Sequence, residues 1–150
     1  MSLPATGASS ATFTRMAALG RLPRRWLARA WAVEIAAVVA LAVIASPLIH
    51  FAYGPEFTGA VGLVVLLGIA EALRGISTFY NSFLNAHGRG RAIRRAGVVF
   101  TVVNIVASLA LIPPFGATGA AWASLIAMAA NLLVHVRGYD RSEPATAGAA

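Results

Sequence analysis

Residues 60–89 read AVGLVVLLGIAEALRGISTFYNSFLNAHGR, an apolar run followed by a stretch in which polar side chains recur. The polar positions lie three or four residues apart, so on a helix they fall within an arc of roughly 80°. They are Glu71, Arg74, Thr78, Asn81 and Asn85, and we call them the polar stripe. A polar stripe on an otherwise apolar helix predicts a membrane-crossing helix that turns this side away from lipid.

The composition favours a membrane protein over a soluble domain. The 150 residues are 59% hydrophobic and only 11% charged, with a mean hydropathy of +0.76. A soluble domain carries about 25% charged residues. The chain has no cysteine, which excludes disulfides and thiol nucleophiles.

Four apolar runs are separated by turns or charges, and each approaches or exceeds the roughly 20 residues needed to cross a bilayer. We therefore predict an all-α integral membrane protein with four transmembrane helices, at about 30–50, 58–86, 94–112 and 117–136. These helices form a membrane domain over 29–137, flanked by a basic cytoplasmic segment, 1–28, and a disordered cytoplasmic tail, 138–150. A soluble helical bundle is the alternative, which the lack of a regular polar face on the runs disfavours.

The arginines predict the orientation of the four helices. All twelve cationic residues are Arg, and eleven of them precede the first run, lie between the second and third, or follow the fourth. The connections 50–57 and 113–116 carry none. The positive-inside rule then places both termini and the 87–95 loop in the cytoplasm, where the arginines would also contact anionic lipids. The segment RGRAIRR at 89–95 lacks interleaved aromatic residues for base stacking, so no nucleic-acid partner is predicted.

The second helix is only marginally stable as a lone, lipid-facing span. Its ten Val, Leu, Ile and Phe residues between 60 and 80 contribute about −3 to −6 kcal/mol, whereas Glu71 and Arg74 near the midplane each cost about +2.5 to +3.5 kcal/mol. These two residues can pair along the helix, and the stripe can face other helices or a hydrated cavity. Helix packing and a solute pathway both remain open. Asn81 and Asn85 favour the pathway, because a self-neutralising pair would not need them.

The third and fourth runs carry small and polar residues at helical spacing, which is typical of contacts between membrane helices. The predicted packing residues are Asn104, Ser108, Gly119, Ala123 and Asn131. No catalytic, metal or cofactor site is predicted. The three histidines lack the spacing of a metal-binding helix, and the G-x-G at 88–90 has no third glycine. An enzyme is therefore not expected.

Several motifs resemble those of one family of carriers. YGPEF at 53–57 resembles an "FGPEF" turn, and NAHGR at 85–89 is similar to an "ALGR"-type inside loop. VN at 103–104, LIP at 111–113 and FGATGAA at 115–121 resemble the signature "VNLxLNLxLIPxYGAxGAAxAT". These motifs belong to the Wzx-like oligosaccharide flippases of the multidrug/oligosaccharidyl-lipid/polysaccharide exporter superfamily. The resemblance covers about residues 13–137.

The resemblance implies a plasma (inner) membrane carrier that moves lipid-linked glycans to the outer leaflet by alternating access. The four predicted helices match the C-terminal end of such a carrier and are too few to enclose its cavity. We therefore expect a fragment, a truncated reading frame, or a piece completed by missing N-terminal helices or another chain. Within the family, Arg74 would attract a pyrophosphate-lipid head, the stripe amides would bind sugar hydroxyls, and Glu71 would hold Arg74 or exchange protons.

Two other functions fit the same pattern. One is a MATE-type drug or cation antiporter of the same superfamily, in which Glu71 would be the ion-coupling carboxylate. The other is a small tetraspan scaffold without transport, in which the polar stripe would be a contact between helices.

Overall fold

The computed structural model describes residues 22–141, and all regular structure in this range is helical. The elements are α1 (Arg24–Tyr53), a 3-10 turn (Pro55–Phe57), α2 (Ala60–Ala86) and α3 (Gly90–Asp140). In this range three helices are long and apolar enough to cross a membrane, with mean hydropathies of 2.4, 1.8 and 2.2 in their apolar windows. The prediction of an all-α protein is confirmed for these residues. The predictions for residues 1–21 and 142–150 lie outside the described range.

The first helix is longer than the predicted span. It begins at Arg24 and continues through Pro47 to Tyr53. It ends because Gly54, at φ 93°, leaves the helical conformation, and the Gly54 N–H donates to the His50 carbonyl at 3.1 Å. The YGPEF motif therefore forms the turn between α1 and α2.

The second helix ends in a Schellman motif. Gly88 adopts φ 67° and donates its N–H to the Asn85 carbonyl at 3.0 Å, while the Arg89 N–H donates to the Leu84 carbonyl at 2.9 Å. These two bonds satisfy helix-end carbonyls, and the left-handed conformation at Gly88 suits glycine. The first glycine of the G-x-G at 88–90 thus has a structural explanation, and α3 begins at the second, Gly90.

The third and fourth predicted spans fall on two helical segments, which are numbered together as α3 and meet at Gly116. The backbone of α3 leaves the helical conformation at Gly116 (φ 57°, ψ −129°), just after Pro113 and Pro114. L-residues with side chains rarely adopt this conformation, so glycine is required there. We call residues 90–115 the N-terminal limb and residues 117–140 the C-terminal limb. Residues 138–140, predicted to start the disordered tail, are helical.

Contacts between the two limbs show that α3 folds back on itself. A Cβ on Gly119 would collide with the backbone carbonyl of Leu111, and a Cβ on Gly138 would lie 3.1 Å from the Cβ of Ala92. In both pairs the two residue numbers add to 230. A constant sum is expected for two antiparallel helices, because one number rises as the other falls. In one straight helix, Ala92 and Gly138 would be about 70 Å apart. Gly116 therefore reverses the chain.

The buried core lies near the end of the bundle where α1 begins and α3 ends. Tyr80 and Phe83 of α2 make edge-to-face contacts with Tyr139, at centroid distances of 5.4 and 5.2 Å. The Tyr139 hydroxyl also accepts a 3.1 Å hydrogen bond from the Leu22 N–H. Leu132 and Ile76 complete the cluster. This cluster fixes α1, α2 and the C-terminal limb relative to one another.

Much of the remaining surface is apolar. Val43 of α1 and Leu109 of the N-terminal limb are 69% and 73% exposed, and other large apolar side chains of both helices are also exposed. Continuous apolar surface of this extent marks contact with lipid or with other protein. The alternative, a soluble bundle, would bury this surface, so the structure favours the predicted membrane protein.

The reversal at Gly116 predicts a specific cross-link. In a chain without cysteine, an Ala92→Cys/Gly138→Cys variant should form an intrachain disulfide on mild oxidation. A Cβ at 138 would lie 3.1 Å from the Ala92 Cβ, so a shift of a few tenths of an ångström would bring the pair into the range of about 3.5–4.5 Å found in disulfides. Mass spectrometry of the purified chain in detergent would detect the bond. An Ala92→Cys/Ala121→Cys variant is the control and should stay reduced, since Ala121 lies near the reversal. Absence of the first cross-link would contradict the folded-back α3.

Candidate functional site

The polar stripe lies on the exposed side of α2. The residues that α2 buries include Ile76, Tyr80 and Phe83, which occupy the other side of the helix. Glu71 and Arg74 are exposed. The stripe is therefore not part of the core formed by α2 and α3. Within the described residues, the packing of α2 against α3 does not use the polar side chains of the stripe.

Glu71 and Arg74 form the ion pair that their spacing predicts. One oxygen of Glu71, Oε2, accepts from Nη2 of Arg74 at 2.6 Å and from Nε at 2.7 Å. The two side chains are 62% and 61% exposed. Because the pair uses two of roughly five guanidinium N–H donors, Arg74 keeps donors for a ligand. Among residues 22–141 this is the one salt bridge.

The hydroxyl groups on this side of α2 bond to the helix itself. Thr78 donates to the Arg74 carbonyl at 2.9 Å, and Ser82 donates to the Thr78 carbonyl at 2.9 Å. Such bonds satisfy hydroxyl hydrogens within the helix and leave the oxygen lone pairs free to accept. Ser82 thus joins the stripe as a residue that the sequence analysis missed, although its four-residue spacing from Thr78 could have identified it.

An open cleft of about 740 Å³ between α1 and α2 contains three of the five stripe residues. Glu71, Arg74 and Thr78 line it, together with Glu34 of α1. Asn81 and Asn85 do not line this cleft. Asn81 is half-buried and Asn85 is exposed, and both lie farther along α2 toward its C-terminal end. The structure thus separates an ionic part of the stripe from an amide part.

Two glycines of α2 bring α1 close to the cleft. Gly68 and Gly75 lie seven residues apart, as do Leu41 and Glu34 of α1. A Cβ on Gly68 would lie 2.5 Å from Cδ2 of Leu41, and one on Gly75 would collide with the Glu34 carboxylate. Because Gly75 has no side chain, the Glu34 carboxylate can pack against α2 one residue from Arg74.

Glu34 changes the electrostatic character of the site. With both acids ionised, the cleft contains two carboxylates and one guanidinium, a formal charge of −1. Glu34 was not among the residues predicted from the sequence to line a site. The available signal was that Glu34 and Leu41 are seven residues apart, as are Gly68 and Gly75 on α2. This signal can be read only when the pairing of α1 with α2 is known.

The predicted packing residues lie on α3. Gly119 and Ala123 are buried, and Gly119 is in the close contact with Leu111 described above. Asn104, Ser108 and Asn131 are half-buried. Ser108 donates to Oδ1 of Asn104 at 3.1 Å, a bond within one limb rather than between helices. The small residues thus occupy the position expected for close helix approach, while the role of the polar ones stays a prediction.

No group of three or more His, Asp or Glu side chains within residues 22–141 is arranged to hold a metal ion. The Nδ1 atom of His135 is 3.0 Å from the Asn131 carbonyl oxygen, and its ring is buried. This bond ties His135 to its own helix. The polar side chains that line the cleft are those of Glu34, Glu71, Arg74 and Thr78.

Three long apolar helices define a multi-pass helical membrane protein, and the open cleft between α1 and α2 places charged side chains in a largely apolar lining. Comparison with known proteins agrees. The chain is 29% identical over 125 residues to the probable flippase AglR of Haloferax volcanii, covering 81% of this chain and 26% of AglR. It is 28% identical over 101 residues to the probable low-salt glycan biosynthesis flippase Agl15 of the same organism, covering 67% of this chain and 21% of Agl15.

These matches confirm the predicted resemblance to flippases, at modest identity. Flippases are transporters, in keeping with the prediction that the chain is not an enzyme. The chain spans about a quarter or less of the length of these two relatives. No family model matches the chain, and no solved structure gives a significant match.

The position of the stripe outside the core predicts a contrast in stability. An E71A/R74A double variant should change the free energy of unfolding by less than about 1 kcal/mol, as is typical of exposed ion pairs. Phe83→Ala should cost about 3–5 kcal/mol, because Phe83 is fully buried in the aromatic cluster. Circular dichroism during denaturation in detergent would measure both. Equal losses would place the stripe in the fold's packing instead.

Proposed function

We propose that this chain forms the C-terminal part of a flippase that moves a lipid-linked glycan across the plasma membrane by alternating access. The observation that carries the proposal is the polar stripe on the outward side of α2, beside a cleft and away from the core. Similarity to two proteins named as flippases supports it. The glycan and the transport cycle belong to the complete carrier, of which this chain would supply one portion.

The proposed topology has four membrane crossings within residues 29–137: α1, α2 and the two limbs of α3. The limbs contain 26 and 24 residues, so each would reach about 36–39 Å, compared with a hydrocarbon core about 30 Å thick. The contacts of Tyr139 with Leu22 and Phe83 support a common location for the start of α1, the end of α2 and the end of α3. All described arginines except Arg74 lie near that end, which we assign to the cytoplasm.

Reporter fusions test this topology. A reporter active only in the cytoplasm should be active when fused after Gly88 and inactive when fused after Phe115. A reporter active only outside should give the reverse pattern. Activity of the same reporter at both positions would mean that the N-terminal limb does not cross the membrane, which would refute the four-crossing arrangement.

In the proposed site, the stripe lines the substrate pathway and other helices close its open side. These helices would come from a longer polypeptide or from another chain. Arg74 would bind the anionic phosphate of the lipid carrier with the donors that Glu71 leaves free. Asn81 and Asn85, nearer the cytoplasmic end, would hydrogen-bond sugar hydroxyls. The exposure of Arg74 supports this role, because a guanidinium facing lipid would be costly.

Thiol labelling in the membrane distinguishes a water-filled pathway from a lipid-facing or packed surface. Thr78→Cys should react with a water-borne maleimide, whereas its neighbour Ser77→Cys, buried on the core side, should not. Val43→Cys, on the exposed apolar side of α1, is the control for lipid contact and should also stay unlabelled. Protection of Thr78→Cys in the complete carrier would instead support the scaffold function, in which the stripe packs against a helix.

A cation antiporter is the second candidate function, and Glu34 is the observation that favours it. Two carboxylates around one guanidinium suit the binding of a proton or a metal cation. A site for an anion alone would not need the second carboxylate. In a complete carrier that contains this segment, Arg74→Ala should abolish glycan export if the flippase proposal is correct. Normal glycan export by that variant would refute the proposed role of Arg74. Absence of glycan export by the unaltered carrier, together with drug or cation exchange that Glu34→Gln abolishes, would favour the antiporter.

A further inference from the structure

A second cleft, distinct from the stripe, lies at the end of the bundle that we assign to the cytoplasm. It has a volume of about 570 Å³ and is formed by the α2–α3 connection and the two limbs of α3. The guanidinium-bearing residues that line it are Arg89, Arg91, Arg95, Arg137 and Arg141. No carboxylate lines it, and within residues 22–141 none of these arginines is in a salt bridge.

The fold brings these arginines together from two antiparallel limbs. Arg91 and Arg95 are four residues apart on one limb, and Arg137 and Arg141 are four apart on the other. Nη1 of Arg89 donates to the Arg141 carbonyl at 3.3 Å, which joins the connection to the end of α3. Like charges at this spacing repel. The positive-inside rule requires only that arginines lie on one side, so it does not explain their convergence on one cleft.

An apolar groove of about 590 Å³ continues from the arginine cleft. Arg91, Arg95 and Val134 line both, and the groove adds Arg94, Val98 and Val99 of the N-terminal limb. Val98 is 62% exposed. Because Val98 and Val99 follow the arginines along the limb, the groove runs from the charged end of the bundle toward its apolar middle. A ligand that fills both spaces must have an anionic end joined to an apolar chain.

We propose that the arginine cleft and the valine groove together bind one anionic phospholipid of the cytoplasmic leaflet. The phosphate lies among the guanidinium groups, which match phosphate oxygens in geometry and charge, and an acyl chain lies along Val98 and Val99. A soluble phosphate would use only the arginines. The inference rests on the proposed membrane insertion, but it does not depend on the polar stripe or on transport.

Native mass spectrometry of the purified full chain tests this site. With phosphatidylglycerol as the probe, the wild-type chain should retain one lipid after washing in detergent, and with phosphatidylcholine it should retain none. R91Q/R95Q/R137Q should weaken phosphatidylglycerol binding about a hundredfold, from the charge lost near the phosphate. R24Q/R25Q/R29Q removes the same charge from α1, outside the cleft, and is the matched control. It should change binding by less than about threefold.

The apolar part of the site has its own test. V98S/V99S should weaken phosphatidylglycerol binding about tenfold through lost apolar contact, whereas V39S/V43S on the exposed side of α1 should not. Inorganic phosphate and pyrophosphate are the soluble probes. Tight binding of either one, unaffected by V98S/V99S, would overturn the assignment to a lipid. Equal losses in the two arginine triple variants would reduce the site to general surface charge and would also overturn it.

The readouts separate failure of the site from failure of the fold or of the flippase proposal. The fold of each variant is checked in a separate sample that also carries Ala92→Cys/Gly138→Cys, because these two positions line the cleft. An intact cross-link in that sample shows that the two limbs still pair. Lipid retention requires no substrate, so the result is independent of glycan export. If the complete carrier exports glycan but this chain does not retain phosphatidylglycerol, this inference alone is refuted.

Discussion

Hydrocarbon solvates neither charges nor unpaired backbone groups, and this constraint accounts for the distribution of polar groups in the chain. Within residues 22–141 the backbone is almost entirely helical, and its direction changes at short turns. Each of the three turns contains one glycine with positive φ: Gly54, Gly88 and Gly116. The charged groups away from the arginine-rich end are few, and Glu71 and Arg74 neutralise each other. The helices can therefore present largely apolar surfaces to their surroundings.

The aromatic cluster and the stripe divide α2 into two sides with different tasks. Tyr80 and Phe83 hold α2 against Tyr139 at one end of the bundle. Within residues 22–141, the other side of α2 is contacted by α1 at Gly68 and Gly75. Core packing thus fixes the helix without using its polar residues. This separation leaves the stripe and the cleft beside α1 available for binding, as the proposed pathway requires.

The sequence could predict features that depend on local spacing. Periodicity identified the stripe and the ion pair of Glu71 and Arg74, because helical neighbours follow directly from a three- or four-residue separation. The sequence also predicted a connection at 113–116, where the backbone leaves the helical conformation at Gly116. It did not identify Glu34 as part of the cleft, because that contact depends on how α1 pairs with α2. Tertiary pairing, unlike helix periodicity, is not encoded in any short stretch.

The geometry of the Glu71–Arg74 ion pair would couple the binding of an anion at Arg74 to the binding of a cation at Glu71. Nε and Nη2 of Arg74 both donate to the same Glu71 oxygen. An anion that displaced this oxygen would therefore leave the Glu71 carboxylate without its counter-ion. That carboxylate, with Glu34 beside it, would then attract a proton or a metal cation. Such exchange is reciprocal, because an anion that favours cation uptake is itself bound more tightly once the cation has arrived. One pair of side chains could in this way make substrate capture and ion uptake thermodynamically inseparable.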